Sequence, residues 1–149
     1  MRIVSLITLG LAALALAAGT ATGAGAKNSG FFKTQNGKIY CQWSAGVRGN
    51  VECGIRNGHL TPKPTKKCRI GDPTGGWLAF NQRGRTQVVP CSGDAGPFAN
   101  LAKTVTLKSG KTWSNSGMSC TATSTSSLRC KNKSGHGFSL ATSGVYKKF

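Results

Sequence analysis

Leu107-Lys108-Ser109-Gly110-Lys111-Thr112-Trp113, then Met118-Ser119-Cys120, then Leu128-Arg129-Cys130, closing on Gly135-His136-Gly137-Phe138, form the densest run of apolar anchors, cysteines and histidine in the chain. The two cysteine segments read as short strands joined by a Ser/Thr-rich turn, with Cys120 and Cys130 able to face each other. A glycine-flanked histidine follows at once. Similar units recur upstream, the chain holds 21 glycines, and no long segment keeps a 3.6-residue apolar period. The expected fold is therefore all-β, a small disulfide-stabilised sandwich or barrel of short antiparallel strands.

Upstream, Asn36-Gly37 is a strong turn signal, since both residues tolerate positive φ. Lys38 to Trp43 follows as a strand, Ser44 to Asn50 turns, and Val51 to Ile55 returns. Cys41 and Cys53 then lie on neighbouring strands, where Cα atoms approach to the roughly 4.4–6.8 Å that a disulfide accepts. Six cysteines allow 15 connectivities. Local geometry favours Cys41–Cys53 and Cys120–Cys130, which leaves Cys68–Cys91. Phe31-Phe32 opens the folded part after a small polar leader, Lys27 to Gly30. Trp77 to Phe80 and Thr86 to Val89 read as strands, Phe98 to Lys103 as a short helix, and Lys103 to Leu107 as a strand with one buried face. Ser139 to Ala141 and Val145 to Phe149 are strand-like and end the chain.

At the N-terminus, Met1-Arg2 precedes an uncharged run from Ile3 to Ala18 and a small-residue tract in which Ala24-Gly25-Ala26 fits a cleavage site. The apolar run falls short of the roughly 20 residues of a spanning helix. Residues 1–26 are thus expected to be a cleaved signal peptide and 27–149 a single exported β-rich domain, monomeric and without a transmembrane anchor. An even cysteine count in an exported chain implies three disulfides. Metal ligation would want closer Cys and His spacings, so no metal is expected.

The charge is extreme: 20 Lys and Arg against 3 Asp and Glu give +17. Without Arg2 this is 19 − 3 = +16. Such a chain is drawn to polyanions, whether nucleic acid or anionic polymers of the cell envelope. Most of the basic residues are single and spaced, as on a solvated surface. The tight cluster is Lys63, Lys66, Lys67 and Arg69, held extended by Pro62 and Pro64, and Lys147-Lys148 adds a second basic point.

Enzymatic readings are thinly supported. His59 and His136 are the only histidines. A ribonuclease would use them as general base and acid, with a lysine such as Lys111 steadying the phosphate. Against this, His59 sits in a Gly/Pro loop, and His136 has the setting of a histidine bonded to local backbone. Glu52, Asp72 and Asp94 are the whole carboxylate supply for glycosidase chemistry. No nucleophile elbow, phosphate loop or dinucleotide fingerprint is present, so no cofactor is expected. Trp43, Trp77 and Trp113 are expected in the core, because a small domain needs its large apolar side chains inside. The expected function is binding of anionic polymers at the envelope. A secreted ribonuclease-like hydrolase and a protein-interaction or inhibitor module are the alternatives. One internal echo stands out: Cys53 to His59 and Cys130 to His136 both read C-x4-G-H, by chance or as a duplicated hairpin unit.

Asn36-Gly37-Lys38-Ile39-x-Cys41, Val51-x-Cys53-x-Ile55, Cys91-Ser92-Gly93-Asp94, Leu107-x-x-Gly110-x-x-Trp113, Leu128-x-Cys130-x-Asn132 and Gly135-His136-Gly137-Phe138 together resemble an uncharacterised family of small exported bacterial domains. The resemblance spans Phe32 to Phe149. Lys38 departs from the usual asparagine, and Met118 from the usual aromatic. The resemblance implies export, one domain and the cysteine framework, and it carries no catalytic residue.

Overall fold

The computed structural model describes residues 28–46, 49–64, 76–90 and 95–149. Within them the strands are β1 (Ser29–Thr34), β2 (Ile39–Ser44), β3 (Asn50–Ile55), β4 (Trp77–Asn81), β5 (Gln87–Val89), β6 (Val105–Leu107), β7 (Thr112–Asn115), β8 (Met118–Ser124), β9 (Ser127–Asn132), β10 (Gly137–Ala141) and β11 (Tyr146–Lys148). They form two sheets, ordered β5-β4-β3-β2-β1-β6 and β11-β10-β9-β8-β7. The chain is an all-β sandwich, and neither sheet closes into a barrel.

Each sheet is built on a five-strand antiparallel meander, β1 to β5 and β7 to β11. In both, the second and third strands carry directly opposed cysteines joined as disulfides: Cys41–Cys53 in β2/β3 and Cys120–Cys130 in β8/β9. Their Cα separations of 4.2 and 4.0 Å are those of close, directly opposed pairs in an antiparallel ladder. In both, the segment after the third strand carries Gly-His, Gly58-His59 and Gly135-His136. The C-x4-G-H echo thus occupies equivalent places in two equivalent meanders, which favours duplication over chance. The Cys68–Cys91 pairing falls outside the described residues.

Alternation fixes which side chains meet. In β9, Leu128, Cys130 and Asn132 point inward while Arg129 and Lys131 point to solvent. The shared core joins Phe32, Ile39, Val51, Leu78 and Phe80 of one sheet to Met118, Leu128, Phe138 and Leu140 of the other. Phe80 meets Phe138 edge-on, with ring centroids 5.7 Å apart at 70°, a geometry that suits aromatic quadrupoles. The two cystines pack against each other at the centre: the Sγ atoms of Cys53, Cys120 and Cys130 all lie within 4.8 Å of one another. All three sulfurs are in disulfides, so the cluster is packing and not a ligand set.

Polar bonds also cross the interface. The buried Asn132 amide donates from Nδ2 to the Asn81 and Gly84 carbonyls at 2.9 and 2.8 Å. Its Oδ1 accepts from the Ser134 and His136 amides at 3.0 and 3.1 Å. Thr86 Oγ1 donates to the Gly137 carbonyl at 2.8 Å. One side chain therefore shapes the β9–β10 turn and ties it to the β4–β5 turn.

Three segments differ from the sequence reading. Ser29 and Gly30 belong to β1 instead of a leader, because Gly30 lacks the Cβ that would come within 2.8 Å of the Trp43 indole nitrogen across the sheet. The helix expected over Phe98 to Lys103 is two separate 3₁₀ turns, Gly96–Phe98 and Leu101–Lys103. Asn100 divides them, since its side chain accepts from the Lys103 amide and starts the second turn afresh. The strand expected from Lys103 begins only at Val105. It pairs parallel to β1, unlike every other strand pair, and its Val105 is 68% exposed. The leader at residues 1–26 lies outside the described residues. Among those described, no helix is long and apolar enough to cross a membrane.

Candidate functional site

Cross-strand register assembles a polar face on the solvent side of the second sheet. One row runs Thr112, Thr121, Arg129, Ser139, Lys147 across β7, β8, β9, β10 and β11. The next row runs Ser114, Ser119, Lys131, Gly137, with Phe149 beside Gly137 through two backbone hydrogen bonds of 2.9 and 3.0 Å. The Thr112 and Thr121 hydroxyls bond at 2.8 Å. The Arg129 guanidinium lies 4.2 Å from the Phe149 ring centroid, which holds the cation in a fixed place on the face. Between residues 95 and 149 the chain has eight lysines and arginines and no aspartate or glutamate. No acidic side chain of this sheet therefore offsets the cations. A shallow hollow of about 550 Å³ on the face is lined by Ser114, Ser119, Lys131 and Lys133.

A second feature lies where the sandwich opens at its β6 and β7 edges. Trp113 stacks on Phe32 at 5.2 Å and 25° and tilts against Trp43 at 5.3 Å and 43°. Beside this trio is an apolar slot of about 480 Å³, lined by Phe32, Val105, Leu107 and Trp113, with Lys103 and Asn100 also among its lining residues.

The expected site residues are dispersed. Lys147 lies on the cationic face. Lys148 is exposed next to it, opposite Phe138 on the other side of the sheet. Lys63 is exposed in the loop after β3, whereas Lys66, Lys67 and Arg69 lie outside the described residues. His59 is exposed, and its carbonyl packs against Gly144 in the β10–β11 turn. His136 is half-buried in the β9–β10 turn, with its carbonyl accepting from the Asn132 amide at 2.9 Å. His59 thus lies by the turn that follows β10, and His136 in the turn that precedes it. Lys111 leads into β7, three strand spacings or about 14 Å from β10. His59, Lys111 and His136 thus sit on three separate segments: the loop after β3, the lead into β7 and the β9–β10 turn. Glu52 is half-buried and accepts from Asn50 Nδ2 at 2.8 Å, while Asp72 and Asp94 lie outside the described residues. Trp43 is in the core at 8% exposure; Trp77, 3% exposed, is buried instead on the other face of the first sheet, against Gly54 and Gly96, and Trp113 is half-buried at the slot.

Arg129 and Lys131 were not among the residues singled out from sequence. Their signal is the alternation Leu128-Arg129-Cys130-Lys131-Asn132, which sends both cations outward, together with the lack of acids after Asp94. The slot has no comparable signal, since its walls come from segments far apart in the chain.

No curated protein and no solved structure matches the chain. A family model does match, over residues 8–146, and it takes in all of the strands but the last two residues of β11. On that span the chain belongs to DUF6636, a family of unknown function.

Proposed function

We propose that the protein is an exported, non-enzymatic module that binds anionic polymers at the cell envelope through the solvent face of its second sheet. The observation that carries this is the pair of cross-strand rows placing Arg129, Lys131 and Lys147 among serine and threonine hydroxyls, with no acidic side chain in the sheet. Guanidinium and ammonium groups supply charge, and the hydroxyls donate to phosphate, sulfate or carboxylate oxygens. A flat face suits a polymer because consecutive charged units meet consecutive strands. Lys63, Lys66, Lys67 and Arg69 add further charge. The disulfides fit an oxidising compartment.

The test is binding of the oxidised protein to poly(glycerol phosphate) and to RNA across a salt series. Binding at low salt that weakens linearly in log–log form is expected. The Arg129→Ala/Lys131→Ala/Lys147→Ala variant should lower that slope by about 2, at ~0.7–0.9 per lost phosphate contact. Absence of binding at low salt, salt-independent binding, or an unchanged slope in the variant overturns the reading.

A further inference from the structure

We propose that the slot between the β6 and β7 edges is a binding site for the acyl chain of a free straight-chain fatty acid, with its carboxylate at Lys103. The slot continues the core outward. Gly30, Phe32 and Trp43 are core-facing residues of β1 and β2, and the Trp43 indole lies flat over the strand because Gly30 has no side chain to lift it. Val105 and Leu107 of β6 face the same side as Phe32 and Thr34, their register partners. Leu107 is half-buried and packs against the core, whereas Val105, at the start of this edge strand, is left uncovered. Val105 consequently exposes 68% of its surface, more than any other large hydrophobic residue among those described. An edge valine left that bare beside a half-buried tryptophan is an unsatisfied apolar surface.

Its volume of about 480 Å³ lies within the roughly 300–1,000 Å³ of small-ligand pockets, which are mostly apolar with a few polar groups. The lining also includes the exposed Lys103 and the half-buried Asn100, with no carboxylate among the lining residues. An apolar lining that includes one exposed cation matches an apolar tail with one anionic head. A saccharide would leave its hydroxyls unpaired against Val105 and Leu107, and a cationic amphiphile would meet Lys103 and the +17 chain. The slot is separate from the cationic face, so this inference does not rest on polyanion binding.

The experiment is a tryptophan-fluorescence titration of the purified, disulfide-bonded protein with octanoate, decanoate and dodecanoate below their micelle concentrations. Saturable one-to-one binding is expected, tightening about three- to fourfold per added methylene (~0.8 kcal/mol each) until the slot is full. Dodecylamine should bind at least about tenfold more weakly, on the strength of one reversed close charge pair. Val105→Glu, an exposed position, should abolish binding without unfolding the protein, and Lys103→Ala should remove the preference for carboxylate over amine. Non-saturable binding, or binding untouched by Val105→Glu, overturns the inference. So does binding lost in the Arg129→Ala/Lys131→Ala/Lys147→Ala variant, which would move the acid to the outer face, or binding to anionic phospholipid vesicles alone.

Discussion

Cys53 Sγ and Cys120 Sγ lie within 4.8 Å of each other, one from each sheet, so that the two cystines form a single sulfur layer at the middle of the sandwich. Replacing either cystine by an alanine pair should destabilise the protein by about 3 kcal/mol through loss of its loop constraint. The loops are nearly equal, with sequence separations of 12 and 10. Because the pairs touch, the double replacement should depart from additivity by about 0.5–3 kcal/mol. Denaturant unfolding of the four proteins measures both quantities. Strict additivity would mean that the sulfur contact contributes nothing.

Asn132 is the polar counterpart of that layer. Its amide donates to two carbonyls of the opposite sheet and accepts from two amides of its own turn. Asn132→Asp keeps the acceptor but loses both donated bonds and sets a carboxylate against two carbonyl oxygens. It should cost more than Asn132→Ala, which itself should cost about 2–4 kcal/mol from unsatisfied buried groups. Equal costs for the two variants would show that the inter-sheet donors are unimportant.

Gly30→Ala tests the floor of the aromatic trio. The added methyl would stand 2.8 Å from Trp43 Nε1 and 3.0 Å from its ring carbons, so the indole must move. A loss of about 1–3 kcal/mol is expected from overpacking, with a shift in tryptophan emission as the Trp43–Trp113 contact opens. Wild-type emission and stability together would place the indole elsewhere.

The histidines give the fourth expectation. The bonds that order His136 are made by its backbone amide and carbonyl, and His59 is exposed. Alanine at either position should change stability by less than about 0.5 kcal/mol. RNA incubated with the oxidised protein between about pH 5 and 8 should stay intact. RNA cleavage lost on replacing either histidine would restore the hydrolase reading despite their placement at opposite ends of β10.

The hairpins were legible in the sequence because their information is local. Asn36-Gly37 turns where its residues demand, with Gly37 at φ 67° and the buried Thr34 hydroxyl bonded to Asn36 Oδ1 at 2.9 Å. The alternation around Cys120 and Cys130 likewise set the β8–β9 register. β6 was misread because its partner is distant. Polar–apolar alternation from Lys103 to Leu107 suggested a half-buried antiparallel strand. The segment is instead a parallel edge strand that pairs with Phe32 to Thr34, and nothing within it announces that partner. The cationic face was only half visible: single lysines and arginines look scattered until cross-strand register aligns Arg129 with Lys147.

The parallel β1–β6 pair also governs the order in which the chain is able to fold. Phe32 opposes Val105, a separation of 105 − 32 = 73 residues, whereas the neighbouring β1–β2 and β2–β3 ladders close over short turns. As the chain emerges, the first meander is complete by Val89, yet the outer edge of β1 stays bare until residues 105–107 arrive. Long-range closure of this kind is slow, and a bare edge is an invitation to pair with another chain. The three residues of β6 are thus a late-arriving seal: a chain truncated before Val105 would keep its first hairpins and expose a sticky edge.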